Sequence, residues 1–308
     1  MYLLAAFDPG PLNYLKHLIP HLSNEFKLII NPNFQNILDP HLCNHLINIE
    51  DIPTYNFELC LCGTSLNQDF ESKIIYKMPK ATATISFIDH WSNFSKRFLY
   101  KNTLLYPDHI IVNNQKAIEI AANSQYPIER VHALGNPILE QLIQFKELNI
   151  KKNSKILFIS EEVLVDNDAH NTYDEYFIMD ILSRALTFGY TLDVKLHPAE
   201  VNINKYKKYP ISNIFYEKNF DRFCEYEYII GMNSFLLLEL SILRKNVLSF
   251  SLGIRDDITH SGGVFSVKIE TELFNILENH TEIQSSSKLA KNEYLGSNER
   301  IIDFLNSI

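Results

Sequence analysis

Two α/β halves, each a doubly wound sheet and the two facing each other across a cleft, are the fold this sequence predicts. Three observations predict it. Apolar strand-like runs alternate with amphipathic helix-like runs along the chain, the pattern of a parallel sheet with helices on both faces. Many strand-like runs stop abruptly in turn or polar residues, as in Asp8-Pro9-Gly10-Pro11, Gly63-Thr64-Ser65, Asp89-His90 and Gly135-Asn136-Pro137. A polar break at Lys151-Lys152-Asn153-Ser154 divides the alternation into domains 1–150 and 151–308, and 308 residues suffice for two such domains.

The first half begins with a buried strand over Met1–Phe7, followed by an amphipathic helix to about Leu22. Strands are predicted at Phe26–Ile30, Phe57–Cys62, Ala83–Ile88, His109–Asn113 and Arg130–Leu134. A helix is predicted after Ser65, a second over Asn114–Asn123 and a third over Ile138–Leu148, while Asn31–Thr54 reads as irregular. The second half has strands at Lys155–Ser160, Thr191–Leu196, Ile214–Tyr216, Tyr228–Gly231 and Asn246–Phe250. Its helices fall at Asp174–Phe188 and Phe235–Arg244, and amphipathic stretches at Glu272–Asn279 and Asn298–Leu305 form a tail that can pack back on the first domain.

Composition narrows the function. A net charge of −9 argues against nucleic acid as a partner, because phosphate backbones select basic surfaces. Cys43, Cys60, Cys62 and Cys224 lack the spacing of a disulfide framework or a zinc site and read as reduced core residues, as in a cytoplasmic protein. The opening residues read as a strand rather than a leader, and no apolar run approaches the roughly 18 residues of a membrane span. Peripheral contact with the inner membrane face stays open through the basic clusters Lys151-Lys152 and Lys205, Lys207 and Lys208. His17, His21, His41 and His45 form two pairs spaced four apart, without a third ligand; no metal and no cofactor are expected.

The segment from Val194 to Gly253 points to a ligand. A strand ends in Lys195-Leu196-His197-Pro198, and a later strand ends in Gly231-Met232-Asn233-Ser234 before a helix. Helix N-termini at the ends of parallel strands hold phosphates. His197 adds a hydrogen-bond donor at a neighbouring strand end.

These residues resemble a known group. The layout is similar to the GT-B glycosyltransferases, which pair two Rossmann-like domains. More narrowly it resembles the bacterial sialyltransferase- and polysialyltransferase-like transferases that build surface polysaccharides. His197-Pro198 is similar to their His-Pro motif, and Gly231–Glu239 to their Ser-containing phosphate-binding element. The passages ISFIDHWSNFSKRF, LYPDHIIVNNQKAIEIA and ALGNPILEQL resemble polysaccharide-biosynthesis proteins of the same broad group. The family's acidic-acidic-Gly motif is matched only by Asp8-Pro9-Gly10, with one carboxylate, and its paired Ser or Thr element is Asn233-Ser234 here.

The resemblance implies transfer of a nucleotide-activated sugar, a CMP-linked nonulosonic acid of the sialic type, to a glycan or lipid-linked glycan acceptor; with no Asp-x-Asp motif counted, helix N-termini and cations rather than a metal are expected to stabilise the leaving phosphate. His197 and Ser234 are then the phosphate ligands, with Asn233 and Pro198 beside them. Glu239 or Glu161, with Glu162, would bond the ribose or the donor sugar; the alternatives are helix capping for the pair and an ordinary helix carboxylate for Glu239. Asp8 is the candidate base and Asp89 its rival, with Gly10, His90 and Trp91 on the acceptor side. For Asp8 the alternative is a helix cap, and for Trp91 it is core packing. Gly135-Asn136-Pro137 reads as a hinge, and Ser261-Gly262-Gly263 as a mobile turn after Asp256-Asp257. The rival functions are a nucleotide-sugar epimerase, a CDP-polyol phosphotransferase and a degenerate, glycan-binding protein.

Overall fold

A computed structural model describes residues 1–65, 69–91, 94, 97–124, 126–161, 175–198, 200, 203–250, 263–284 and 292–308, without the side chains of 36, 37, 203 and 205. The chain divides into two compact units, Met1–Gln141 with Glu293–Ile308, and Leu142–Asn292. The division falls before the polar break. Leu148 N–H donates to the Leu243 carbonyl at 2.7 Å and Lys151 N–H to the Cys224 carbonyl at 3.2 Å, which ties this stretch to the second unit.

In the first unit, β1 (Tyr2–Ala6), β2 (Phe26–Ile30), β3 (Leu59–Cys62), β4 (Ala83–Ile88), β7 (His109–Val112) and β8 (Val131–Ala133) form one sheet. Their order is β2-β1-β3-β4-β7-β8 and every pairing is parallel. Between β4 and β7 lies a separate hairpin, β5 (Leu99–Tyr100) with β6 (Thr103–Leu104). Alternate side chains of β1 enter different cores, as the period of two requires. Leu4 joins α1 (Pro9–Leu18) on one face, while Leu3 and Ala5 join α2 (Phe70–Lys77) on the other. Residues 32–54, read as irregular, contain three short 3-10 turns. Pro32 and Pro40 open two of them, where a missing N–H costs nothing.

The remaining helices of this unit are α3 (Gln115–Asn123), α4 (Pro137–Ile143) and, after the second unit, a C-terminal helix at Ser297–Ser307. The last buries Ile301 and Leu305 in the core beside α1. It is pinned there by Glu140, which accepts from the N–H groups of Gly296 and Asn298 at 2.7 Å each.

In the second unit, β9 (Lys155–Ile159), β10 (Thr191–Lys195), β11 (Asn213–Phe215), β12 (Tyr228–Gly231), β13 (Val247–Phe250) and β14 (Phe265–Val267) form a second parallel sheet. Its order, β11-β10-β9-β12-β13-β14, is the 3-2-1-4-5-6 order of doubly wound nucleotide-binding sheets. The helices are α5 (Glu175–Ala185), α6 (Phe220–Phe223), α7 (Phe235–Leu243) and α8 (Glu270–Glu278); the C-terminal helix is therefore α9. Strand β14 and helix α6 were not legible in the sequence. Both are short, three and four residues, below the length at which periodicity is informative. In α7 eight consecutive residues, Leu236–Leu243, are buried, as expected of a helix apolar on every side.

Candidate functional site

In a doubly wound sheet the strand order reverses at one point, and the crevice beyond the strand ends there is where ligands bind. In the second unit that point lies between β9 and β12. Glu161 follows β9 and Asn233-Ser234 follows β12, so the topology brings two sequence candidates together. Asn233 N–H donates to Glu161 Oε1 at 2.5 Å, and Ser234 caps α7 by accepting from Leu236 N–H at 3.3 Å. The capping role considered for Ser234 is thus real, and Glu161 braces the same turn. Asn233 Oδ1 is buried and meets no donor among the described residues.

The neighbouring strand end is braced in the same way. His197 N–H donates to Glu200 Oε2 at 2.6 Å and Ser160 Oγ to Glu200 Oε1 at 2.7 Å, so Glu200 locks the turn that carries His197-Pro198. Both of these residues are exposed. Glu239 is not an exposed helix carboxylate. It is buried and paired with Lys218 Nζ at 2.5 Å. Lys195, at the end of β10, is held below the usual lysine range by burial and then by the Lys218 charge. Glu200 and Lys218 were missed in the sequence. For Glu200 a signal existed, its place three residues after His197 in a turn; for Lys218 none did.

In the first unit the order β2-β1-β3 reverses between β1 and β3, so Asp8, after β1, meets Ser65, after β3. Asp8 occupies the N-cap position of α1 but makes no side-chain cap hydrogen bond. Burial holds its carboxyl above the ordinary range, and the Asp89 charge adds to this; a hydrogen bond to Ser65 and the Arg97 charge act against it. Ser65 Oγ also donates to Glu71, which accepts the Phe7 N–H at 2.9 Å.

Asp89, the rival base, stands against the first turn of α1. A Cβ on Gly10 would lie 2.7 Å from Asp89 Oδ2, so glycine is what admits the carboxylate. The end of β4 thus brings a second carboxylate within electrostatic reach of Asp8. Arg97, buried, donates to the Thr64 carbonyl at 2.9 Å and carries its charge among Asp89, Asp8 and Glu71.

No known protein-family model matches the chain, and no curated protein sequence matches it. Solved structures do. The UDP-GlcNAc 2-epimerase of Methanocaldococcus jannaschii, in complex with UDP-GlcNAc and UDP, is similar over all of both chains, at 13% identity and a TM-score of 0.66. Anabaena Alr3699/HepE in complex with UDP-glucose is similar over 99% of this chain and all of its own, at 10% identity and a TM-score of 0.65. The wall teichoic acid polymerase TagF is similar over 99% of this chain and 88% of its own, at 10% identity and a TM-score of 0.54. The chain has the GT-B fold.

Within each half of this GT-B chain, several expectations change. Trp91 does not offer a ring face to a sugar: it is 3% exposed, and its indole N–H donates to Asn114 Oδ1 at 2.8 Å. His90, half-buried, meets its ring edge-on at 6.2 Å. Asn136, expected in a hinge, is a buried brace: it donates to Asn113 Oδ1 at 3.0 Å, and Asn113 donates to the Asp89 carbonyl at 2.8 Å. Cys60 and Cys62 are buried free thiols, but Cys43, expected in the core, is exposed and Cys224 is half-buried, both also free. Glu162, Asp256-Asp257 and Ser261-Gly262 lie outside the described residues. So does Asp166-Asn167-Asp168, an Asp-x-Asp triplet that the metal-independent expectation left out of account. At the end of β2 a cavity of about 450 Å³ is lined by Ile30, Pro32, Gln35, Asn48, Glu50 and Phe70. The Phe70 ring lies 5.2 Å from that of Phe7, the residue before Asp8.

Three acids of the first unit, Glu71 buried and Asp8 and Asp89 half-buried, make a pH prediction. Asp8, Glu71 and Asp89 are each raised above their ordinary range, chiefly by burial. Between the ordinary carboxylate range and the raised folded values, the native state holds more protons than the unfolded chain. These groups therefore lower stability as pH rises through that interval. Asp89→Asn removes one such charge. We expect its thermal midpoint to exceed that of the wild type by a few degrees at about pH 8, with the gain vanishing near pH 4. A lower midpoint at both would show the Asp89–Arg97 attraction to dominate.

Proposed function

We propose that the chain is a glycosyltransferase that takes its sugar from a nucleotide-activated donor. The observation that carries this reading is the start of α7. It lies at the reversal point of a 3-2-1-4-5-6 sheet, beside a buried Asn233 oxygen suited to accept from a ribose or sugar hydroxyl. Ser234 and the amides after it would take the leaving phosphate, with His197 as a further donor. Lys195 and Lys218 contribute positive charge to this half. Glu239, held by Lys218, would orient the donor through that pair. Asp8 would take the acceptor proton, with Asp89 as the alternative base. The acceptor would use the β2-end cavity, where aromatic and amide groups together suit a sugar ring.

The donor we favour is a CMP-linked nonulosonic acid, on the likeness of His197-Pro198 and Gly231–Glu239 to the sialyltransferase motifs. A UDP-sugar epimerase is the second reading, supported by full-length likeness to the M. jannaschii epimerase. Titration calorimetry with CMP, CDP, UMP and UDP, with magnesium or with chelator, separates them. We expect the tightest binding for CMP, unchanged by chelator, and a loss of about tenfold or more in His197→Ala. Preference for UDP selects the second reading. Binding that requires magnesium would bring Asp166 and Asp168 into the donor site, and no nucleotide binding at all would sink both enzyme readings.

A further inference from the structure

The β5–β6 hairpin carries none of the candidate site residues of either half. Lys101 and Asn102 form its turn, with φ of +49° and +62°, the two left-handed residues of a tight hairpin turn that matches strand twist. Its base is anchored: Phe98 is buried, and Leu105 N–H donates to the Phe98 carbonyl at 2.8 Å. Its tip is not covered by any described residue. Leu99 and Leu104 are directly paired across the two strands, side by side on one face, and are 43% and 50% exposed. On the other face of the hairpin Tyr100 meets Tyr76, which ends α2 and is 63% exposed, with the two rings 5.1 Å apart. Lys101 Nζ lies 5.2 Å from the Tyr100 ring centre.

The chemistry of this patch selects a partner. Two paired leucines on one face of a projecting turn and Tyr100 on the other, against Tyr76 of α2, form neither a groove nor a broad flat face. They suit shallow insertion at a lipid–water boundary, where tyrosine is favoured and lysine stems reach back to headgroups. Charge agrees. In a chain of net charge −9, every charged residue in segments 76–80 and 99–104 is a lysine: Lys77, Lys80 and Lys101, all exposed.

We propose that the hairpin 99–104, with Tyr76, Lys77 and Lys80, is a docking surface for an anionic lipid bilayer. Binding is measured without nucleotide, so its outcome is independent of the donor reading. The probe is extruded phosphatidylcholine vesicles, with and without phosphatidylglycerol, in a co-sedimentation assay. The wild type should bind the anionic vesicles and release in high salt. Leu99→Ser with Leu104→Ser should weaken binding by about tenfold or more, and glutamine at positions 77, 80 and 101 should remove the anionic preference. Leu104→Trp adds a reporter, because the single natural tryptophan is buried: its emission should shift to the blue only with anionic vesicles. Unchanged thermal midpoints certify that the variants are folded. Absence of wild-type binding, or equal binding by the serine variant, overturns the proposal. Self-association lost in the serine variant, with no vesicle binding, assigns the patch to a second copy of the chain.

Discussion

Asp8→Asn is expected to reduce sugar transfer by about a thousandfold while leaving nucleotide affinity within twofold of wild type. The argument is local. Asp8 ends β1, where the sheet order reverses, and its side chain caps nothing. A carboxylate released from capping and raised in pKa, chiefly by burial, is a stronger base than an ordinary carboxylate. Asparagine keeps the shape and the Ser65 contact but cannot take the proton. The wild-type rate should rise with pH through the raised Asp8 value, because the ionised form is the base. That rise should be absent in the variant, whose residual rate is compared over the same range. Full activity in Asp8→Asn would transfer the role to Asp89. Asp89→Asn would then abolish transfer, and Gly10→Ala, which pushes a methyl against Asp89, would depress it.

Arg244→Ala is expected to destabilise the chain by about 3–5 kcal/mol. Arg244 follows α7 and is 1% exposed. Its guanidinium donates to the carbonyls of Phe223, Tyr226 and Glu227 at 2.5, 2.8 and 3.0 Å, and its Nε to that of Lys245 at 3.0 Å. Burial pushes its pKa down to about 10, so it remains charged at neutral pH, near the negative end of the helix. Truncation leaves buried carbonyls without donors and a void where the side chain lay. Lysine restores the charge but not the planar fork and should recover only part of the loss. Urea unfolding of the full chain measures this. A loss below about 1 kcal/mol would mean that water or neighbouring amides replace the fork. The segment it secures leads into β12, and so towards the start of α7, which makes weakened nucleotide binding a second expected readout.

The path from sequence to site was uneven for physical reasons. Strands β2, β4 and β12 run over the residues expected of them, because a buried parallel strand is a continuous apolar run that stops where its neighbours stop. Ser234 was legible as a helix start, since capping is a local property of a short segment. Trp91 was read both ways, as a sugar platform or as packing, because an aromatic residue after a strand end reads alike whether it faces solvent or packs against Asn114; the structure shows the packing. Glu239 was legible only in part: its leucine neighbours argue against an exposed carboxylate, but nothing near it in the chain announces that Lys218, itself exposed, will pair with it.

The alternation of patterns along the chain was enough to establish two doubly wound halves, their strand ends and the helix starts that could hold a phosphate. Periodicity is local, and each residue's neighbours report it. Which strand ends become neighbours is another matter. The approach of Asp89 towards Asp8, the room that Gly10 leaves for the Asp89 carboxylate and the Glu161 brace on Asn233 all follow from strand order and helix packing. Those depend on how crossovers close over the whole sheet, and residues far apart in the chain carry no mark of the contact they will make.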